Sequence, residues 1–336
     1  MTFLNKKFPV RIVFFSRDRA MQLDAALRSF FLHCKDAEEN AVICVIYKAS
    51  NERHEQQYKV LSRLYPQTQF VEQRNFRQDL LNNINSYQPR SLKSFLYSVL
   101  MGFSSIGFPV DSRADAAMRR FVDTPKINLL KMFLPRGEPK TGVLFLVDDN
   151  IFVRNFYLAD IISVLLKNPK AIGFSLRLGR NTQYCYTMRQ QQSLPEFKSF
   201  SQNILKYNWT MAELDFAYPL EISSSLYLMD VIAPIIMSMW FRNPNELEGK
   251  IAARSFIFQN QYPELLCFDQ SMTFCNPINM VQSVYKNRAG EQVNMSADHL
   301  SKLFEKGRRV NIHPFDGFIP NACHQEVEFT FETRAS

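Results

Sequence analysis

Short apolar runs alternate with amphipathic stretches over the first half of the chain. Four apolar runs have the composition of buried strands, at residues 10–15, 42–47, 142–147 and 171–176, and residues 69–72 form a candidate short strand. Four segments carry apolar residues at helical spacing, at residues 21–30, 52–64, 92–103 and 158–166. Strands that alternate with helices predict an α/β fold with a Rossmann-type, mainly parallel sheet flanked by helices.

The alternation is interrupted once and is followed by a less regular C-terminal part. Residues 104–140 contain four prolines and many charges, which indicates a helical insertion. The sequence has neither an internal repeat nor a low-complexity linker at which a domain boundary would fall. We therefore expect one domain, with a C-terminal extension that begins near residue 215.

Composition and charge indicate which class of partner the protein binds. Hydrophobic residues make up 46% of the chain and its formal charge is +8, which is typical of a packed globular protein that binds an anionic partner. The basic residues are spread along the chain and their densest pairs are short, as at Arg17 with Arg19. This spread favours a solvated surface, so we expect no nucleic acid as partner. The sequence predicts no oligomeric state.

Cysteines and apolar stretches bear on the expected location. The six cysteines form no CxxC pair and have no zinc-ligand spacing, which favours reduced and buried thiols. The apolar stretch near the start is only about five residues long, which is too short for the core of a signal peptide. Residues 226–241 are interrupted by Asp230 and Pro234 and are shorter than a spanning helix. We expect a soluble, cytoplasmic protein whose membrane contact, if any, is peripheral.

Adjacent acids follow the clearest buried strand. Residues 144–147 are apolar and run directly into Asp148, Asp149 and Asn150. In a parallel sheet, ligands bind outside the carboxyl ends of the strands, and carboxylates there can hold Mg²⁺ or Mn²⁺ against a phosphate. The same residues are also favoured in turns and helix caps, so the pattern alone leaves both interpretations open.

Two motifs together resemble a known family. The run FFSRDRAMQL at residues 14–23 resembles the opening of the GT-A glycosyltransferases of the large family-2-like group, and Asp148, Asp149 and Asn150 fall where that group keeps its DxD-type motif. The resemblance covers about residues 10–180. Segments 243–249, 277–282 and 287–290 are similar to bacterial polysaccharide-type members of this fold.

The resemblance implies an activity and a division of labour along the chain. It implies transfer of a sugar from a nucleotide-sugar donor, with a UDP-sugar expected, to a glycan or a lipid-linked saccharide acceptor. Residues 1–214 would bind the nucleotide-sugar and include the insertion at 104–140, while residues 215–336 would form the acceptor side of the same domain.

The resemblance also implies roles for named residues. The turn at residues 16–19, whose members are Ser16, Arg17, Asp18 and Arg19, would contact the nucleotide with help from Asn51. Asp148 would bind ribose or support a Mn²⁺ or Mg²⁺ cofactor, and Asp149 would ligate it. Asn150 stands where a third acid is frequent and would offer a carbonyl oxygen. His313 and His324 are the candidates for a further metal ligand.

An inverting transfer needs a base that takes the proton of the acceptor hydroxyl. The candidates are Glu246, Glu248 and Asp269, although Glu246 also suits a plain helix start after Asn243 and Pro244. Residues 218–227, with Glu221, are either a wall of the acceptor site or a strand and turn. Three aromatic residues are candidates for stacking on sugar rings, although a core role is equally consistent with the sequence: Tyr207, Trp209 and Trp240.

Two other functions are consistent with the same strand-end turns and acidic residues. A nucleotidyltransferase also clamps phosphates with metal-bound acids, and a catalytically inactive protein of this fold would bind a sugar nucleotide or polysaccharide without turnover. The sequence lacks GxGxxG, GxxxxGK[ST] and GxSxG motifs, which argues against a dinucleotide dehydrogenase, a P-loop NTPase and a serine hydrolase.

Overall fold

The structure is a computed structural model, and it describes residues 10–84, 141–201, 203–279 and 295–334. The predicted helix at 92–103, the predicted insertion at 104–140 and the segment at 287–290 lie outside these residues. The strands are β1 (Val10–Arg17), β2 (Ala41–Lys48), β3 (Thr68–Glu72), β4 (Gly142–Val147), β5 (Asn150–Phe152), β6 (Ala171–Ser175), β7 (Tyr184–Cys185), β8 (Gln190–Gln191), β9 (Lys198–Ser201), β10 (Ile204–Asn208), β11 (Ser225–Leu228), β12 (Glu264–Phe268), β13 (Thr273–Cys275), β14 (Arg308–Val310) and β15 (Phe331–Thr333).

The α-helices flank these strands. They are α1 (Ala20–His33), α2 (Ala37–Asn40), α3 (Glu52–Leu64), α4 (Phe76–Ile84), α5 (Leu158–Lys167), α6 (Met229–Met237), α7 (Pro244–Ala252) and α8 (Ala297–Glu305). Asn51 caps α3, Asn243 caps α7 with a proline at the first position, and Ser296 caps α8. Each of these side chains accepts a hydrogen bond from a backbone N–H group of the first turn, which would otherwise be unpaired.

Nine strands form one mixed sheet in the order β3-β2-β1-β4-β11-β6-β12-β10-β9. The first four strands in this order are parallel, β11 is antiparallel to both of its neighbours, and β6 and β12 are parallel to each other. The strands β1 and β4 are adjacent, so the turns that follow them lie side by side at one edge of the sheet.

Apolar side chains are buried on both faces of the sheet. One core contains residues of α1, α3, α5 and α8, and the other contains residues of α4, α6 and α7. Successive residues of a strand point to opposite faces, so Phe14 belongs to the first core and Phe15 to the second. A central strand that is covered on both faces has a continuous apolar run, as at residues 12–15 of β1.

The α/β architecture confirms the fold predicted from the sequence, and the five predicted strands and the helices at 52–64 and 158–166 lie within two residues of their expected bounds. The C-terminal part is more than an extension of this sheet, because β11 and β12 lie inside it. In the part of the chain that the structure describes, no helix combines the length and the apolar character needed to span a membrane.

Candidate active site

A cavity of about 920 Å³ lies outside the carboxyl ends of the parallel strands. Ser16 and Arg17 at the end of β1, Asp148 and Asp149 after β4, and Arg177 after β6 line it. This volume is in the range of small-molecule sites, which in open α/β sheets occupy this edge. The two turns singled out in the sequence therefore face a common crevice.

Asp148 connects these two turns. Its Oδ2 accepts hydrogen bonds from Ser16 Oγ at 2.9 Å and from the backbone N–H of Arg17 at 3.2 Å, and its Oδ1 accepts one from Arg19 Nη1 at 3.0 Å. The residue is buried, so its carboxylate is satisfied by protein groups alone. This geometry fits a supporting role and leaves direct contact with a ligand to its neighbour.

Arg19 lies between the two acids and Asn279 of the C-terminal part. Its Nη1 is 3.5 Å from Asp149 Oδ2, and its Nη2 donates to the backbone oxygen of Asn279. The Arg19 side chain is largely buried, so its charge compensates the buried acids instead of being screened by water. It therefore holds the acidic turn in place.

Asp149 is the more accessible acid of the pair. Its side chain is 18% exposed, against 6% for Asp148. Burial raises the pKa of Asp149, Arg19 opposes that rise and the nearby Asp148 charge adds to it. One of its oxygens, Oδ1, is buried and has no hydrogen-bond partner among the described residues.

Asn150 closes the turn that follows β4. Its Oδ1 accepts a hydrogen bond from the Val147 N–H at 2.8 Å, and its Nδ2 donates to Cys275 Sγ at 3.4 Å. The residue is fully buried, and both ends of its amide hold the turn. Its assignment as a metal ligand stays a prediction.

The donor set decides which metal site would fit. No group of three His, Cys, Asp or Glu side chains among the described residues has the geometry to hold an ion, so an all-protein cage does not fit. Mg²⁺ in phosphate sites is bound through one or two carboxylates together with substrate phosphates, and Mn²⁺ prefers the same oxygen ligands. Asp149, backed by Asp148, fits that arrangement.

The two candidate histidines differ in position. His324 lines the cavity and pairs through its backbone with Cys275. Burial, with a contribution from Arg177, lowers the pKa of His324 to about 3, so its imidazole is neutral at physiological pH. His313 is exposed at the start of a short 3₁₀ turn and does not line the cavity, and its assignment as a ligand stays a prediction.

Glu248 is the candidate base that faces the cavity. It lies on α7 and is partly buried. Burial and the Glu221 charge together raise its pKa to about 7, against the opposing effects of Arg177 and of a hydrogen bond from the Ile222 N–H. A carboxylate with this pKa takes up a proton readily near neutral pH, which is the property a general base needs.

Arg177 is the residue of this wall that the sequence analysis missed. Its Nη1 donates to Ser223 Oγ at 3.0 Å, and its Nε lies 3.9 Å from Glu221 Oε1. Glu221 also accepts hydrogen bonds from Ser223 Oγ at 2.6 Å and from the Ser224 N–H at 3.0 Å. The signal that would have found Arg177 is its position directly after a predicted parallel strand.

The other two candidate bases lie outside the cavity lining. Glu246 accepts hydrogen bonds from Arg242 and belongs to the first turn of α7. Asp269 is half-exposed and forms an ion pair with Arg180 at 2.9 Å. One carboxylate serves a helix start and the other a surface ion pair, so the structure favours Glu248 among the three candidate bases, and the roles of Glu246 and Asp269 stay predictions.

Asp18 and Asn51 are not among the residues that line the cavity, and each one stabilises a neighbouring segment. Asp18 has a left-handed backbone with φ of 55°, and its Oδ1 accepts the Ser50 N–H at 2.7 Å. Asn51 Oδ1 accepts the His54 N–H at 3.1 Å as the cap of α3. The two side chains hold the loop and the helix cap and are not among the residues that line the cavity, and their direct contact with a nucleotide stays a prediction.

The fold and the cavity define an α/β protein with a ligand site at the carboxyl ends of its parallel strands. The chain is 26% identical over 332 residues to the bifunctional glycosyltransferase pgtA of Dictyostelium discoideum. The aligned region is 91% of this chain and 36% of pgtA, so the chain spans about a third of that relative.

Two further comparisons are weaker. No family model matches the sequence. The crystal structure of mouse xyloside xylosyltransferase 1 in its apo form overlaps 74% of this chain and 81% of its own, with 10% identity and a TM-score of 0.30. An overlap of that quality carries no weight, so the fold rests on the sheet described above.

Proposed function

We propose that the chain is a glycosyltransferase that moves a sugar from a nucleotide-sugar donor, with a UDP-sugar expected, to a saccharide acceptor. The observation that carries the proposal is one cavity that is lined by Ser16, Arg17 and Arg19 of the first turn, by Asp148 and Asp149 of the acidic turn, and by Glu248. Similarity to a bifunctional glycosyltransferase over nine-tenths of the chain supports it.

The donor would lie along the ends of β1, β2 and β4. Ser16, Arg17 and Lys48 line this end of the cavity, and Arg242 faces it from the loop before α7. The positive charges of Arg17, Lys48 and Arg242 suit a diphosphate, because Arg and Lys side chains pair with phosphate oxygens. The nucleotide would therefore occupy the β1–β2 end and the sugar the end near Arg177.

Asp149 would hold Mn²⁺ or Mg²⁺ together with the donor diphosphate. A cation bound there neutralises the charge that develops on the leaving group. Asp148 and Arg19 keep the Asp149 carboxylate in position through the hydrogen bonds of the two turns. His324 also lines the cavity, and its neutral imidazole would be a further ligand of the metal.

Glu248 would accept the proton of the acceptor hydroxyl as that oxygen attacks the anomeric carbon. The new bond then forms between the acceptor oxygen and the sugar, while the bond to the diphosphate breaks and the proton resides on Glu248. Attack from the side opposite the leaving group inverts the configuration. A pKa of about 7 makes the base available at the pH at which it must work.

The sequences of the two turns suggest the group of glycosyltransferases and the class of acceptor. The FFSRDRAMQL run and the acidic turn favour the GT-A, family-2-like group, with a glycan or lipid-linked saccharide as acceptor, as in polysaccharide-type members. The relative pgtA carries two activities by name, and this chain matches only part of it. We therefore assign one transferase activity to the chain.

A donor screen tests the proposal. The purified chain is heated with UDP-, GDP-, dTDP- and CMP-sugars, with and without Mn²⁺, because a ligand that binds only the folded state raises the melting temperature. The stabilising donor is then assayed for metal-dependent release of nucleoside diphosphate. Release of pyrophosphate would instead indicate a nucleotidyltransferase, and binding without release of either product would indicate an inactive binding protein.

A further inference from the structure

The turn at residues 213–217 brings two adjacent residues to the cavity, Leu214 and Asp215. Leu214 has a left-handed backbone with φ of 51°, a conformation that is unfavourable for a residue with a branched side chain. Such positions persist only where neighbouring contacts hold them, and they cluster at ligand sites. The turn that presents Asp215 is therefore a candidate for a ligand contact.

The segment that follows β8 holds this turn in place. Gln192 Oε1 accepts a hydrogen bond from the Asp215 N–H at 3.1 Å, and Glu213 Oε1 accepts one from the Ser193 N–H at 2.8 Å. Gln192 is itself buried, and its Nε2 donates to the Thr182 backbone oxygen at 3.0 Å. These hydrogen bonds fix the backbone of Asp215 and use neither oxygen of its carboxylate.

One oxygen of the Asp215 carboxylate lacks a hydrogen bond. Its Oδ2 is buried and has no partner among the described residues. Burial raises the pKa of Asp215, and the Arg177 charge opposes that rise. Buried carboxylate oxygens are normally paired, because their removal from water without a hydrogen bond is unfavourable. Rotation about the Cβ–Cγ bond exchanges the two oxygens, so a hydroxyl group of a ligand in the cavity would supply the missing hydrogen bond.

Arg177, whose charge acts on Asp215, has an unpaired group of the opposite kind. The residue lines the same cavity and is 4% exposed, and its buried Nε has no hydrogen-bond partner in the described part of the chain. The nearest acid, Glu221, lies 3.9 Å from this Nε, which is beyond hydrogen-bond distance. The wall therefore combines an unpaired acceptor with an unpaired donor. A sugar hydroxyl both donates and accepts hydrogen bonds, so it matches this pair.

We propose that Asp215 accepts hydrogen bonds from hydroxyl groups of the sugar that is transferred, and that it restricts the donor to a neutral sugar. This inference rests on the proposed function, which places the sugar near Arg177, and it adds the residue that selects the sugar. A site built to hydrogen-bond a hydroxyl group rejects an analogue that lacks this group, because the buried polar atom is then left unpaired. Asp215 is therefore a specificity-determining residue, while Glu248 remains the proposed base.

A sugar acid is the alternative ligand for a wall that contains a buried arginine. The Arg177 charge is already compensated by two acids, since Glu221 lies 3.9 Å away and Asp215 also interacts with it electrostatically. The carboxylate of a hexuronate at this end would be repelled by Asp215, and Arg177 would not compensate it fully. The arrangement of charges therefore favours a neutral hexose.

Binding measurements test the selection of the sugar. Isothermal titration calorimetry with Mn²⁺ present compares UDP and GDP with their glucose and galactose conjugates. Asp215→Asn is expected to weaken binding of the conjugate that the wild-type chain prefers by about 10- to 100-fold, because a hydrogen bond to a charged group is lost. The Kd of the free nucleoside diphosphate is expected to change by less than about twofold, which also shows that the variant folds.

A control variant and a charged donor sharpen this test. Glu213→Gln is the matched control and should keep both affinities, because Glu213 lies in the same turn, is exposed and does not line the cavity. A hexuronate of the same nucleotide should bind the wild-type chain more weakly than the preferred hexose conjugate. Asp215→Asn should narrow that difference, because the variant no longer repels the second carboxylate.

Deoxy analogues give a readout that does not depend on how well a variant folds. The preferred donor is prepared without its 2-, 3-, 4- or 6-hydroxyl group, one group at a time. At least one analogue should bind the wild-type chain about tenfold more weakly or worse. The same analogue should lose little further affinity in Asp215→Asn, because both changes remove the same hydrogen bond.

The outcomes separate this inference from the function on which it rests. Unchanged hexose affinity in Asp215→Asn, equal binding of all deoxy analogues, or a wild-type preference for the hexuronate overturns the inference even if transfer is observed. Selective loss of hexose binding in a chain that releases no nucleoside diphosphate supports the sugar contact and overturns the transferase. Binding of no nucleotide sugar by the wild-type chain overturns both.

Discussion

Arg19 Nη1 donates to Asp148 Oδ1 over 3.0 Å, and this buried ion pair joins the turn after β1 to the turn after β4. The two residues are 129 positions apart in sequence. The pair is possible because β1 and β4 are adjacent and parallel, so both turns end at the same edge of the sheet. The ion pair therefore holds Asp148 in place next to Asp149, the candidate metal ligand.

Removal of the cation from this pair should destabilise the fold. Arg19→Met leaves Asp148 buried without its charge partner, which typically costs about 3 to 5 kcal/mol in the free energy of unfolding. Arg17→Met is the control, since the Arg17 side chain is 46% exposed, and it should change stability by less than about 0.5 kcal/mol. Urea unfolding measures both, and equal small losses would show that the Arg19 pair is not structural.

Asp149→Asn should remove metal-dependent ligand binding and leave the fold intact. The change keeps the shape of the side chain and removes the charge that we propose holds Mn²⁺ with the diphosphate. In the wild-type chain, nucleoside diphosphate with Mn²⁺ should raise the melting temperature, and EDTA should reverse this rise. The variant should lack the rise, whereas Asp269→Asn should keep it, because Asp269 lies outside the cavity. An undiminished rise in Asp149→Asn would refute the metal assignment.

The acidic turn and the opening turn could be placed from the sequence because each directly follows a strand with a clear apolar pattern. The alternation of strands and helices also predicted that the first strands are parallel, which puts both turns at one edge. The side-chain details were not available from the pattern. Asn150 is a favoured residue both in turns and near cations, and only its contacts with Val147 and Cys275 separate these roles.

The opposite wall of the cavity depends on contacts that no local pattern encodes. Glu246 and Glu248 are two residues apart on α7, yet one pairs with Arg242 and the other faces the cavity, because residues two apart lie on different sides of a helix. Glu221 and Arg177 come from segments 44 residues apart that meet because β6 and β11 are adjacent. The sequence pattern did not predict that antiparallel pairing.

The proposed base should set the pH dependence of transfer. Glu248 must be deprotonated to accept a proton, so kcat/KM should rise about tenfold per pH unit up to a pH near 7 and then level off. Glu248→Gln should lower kcat about 10² to 10⁴-fold and lose this dependence. Glu246→Gln is the control on the same helix and should keep both the rate and the profile. A wild-type profile without a break near pH 7 would exclude Glu248 as the base.

The same raised pKa should cost the folded chain stability above neutral pH. Burial and Glu221 raise the pKa of Glu248 from an ordinary value of 4.5 to about 7, so between these values the folded form binds more protons than the unfolded form. The stability that this difference provides is fully present below about pH 4.5 and is lost as pH rises through 7.

Glu248→Gln removes that dependence, because the amide has no proton to lose. The variant should therefore be more stable than the wild-type chain at pH 8 by about 1 to 3 kcal/mol, and the two should be nearly equally stable at pH 4. Urea unfolding at both pH values measures the difference, with Glu246→Gln as the control that should show no such gain at pH 8. If Glu248→Gln destabilises the chain equally at both pH values, its carboxyl group is not held in the high-pKa environment on which its role as base depends.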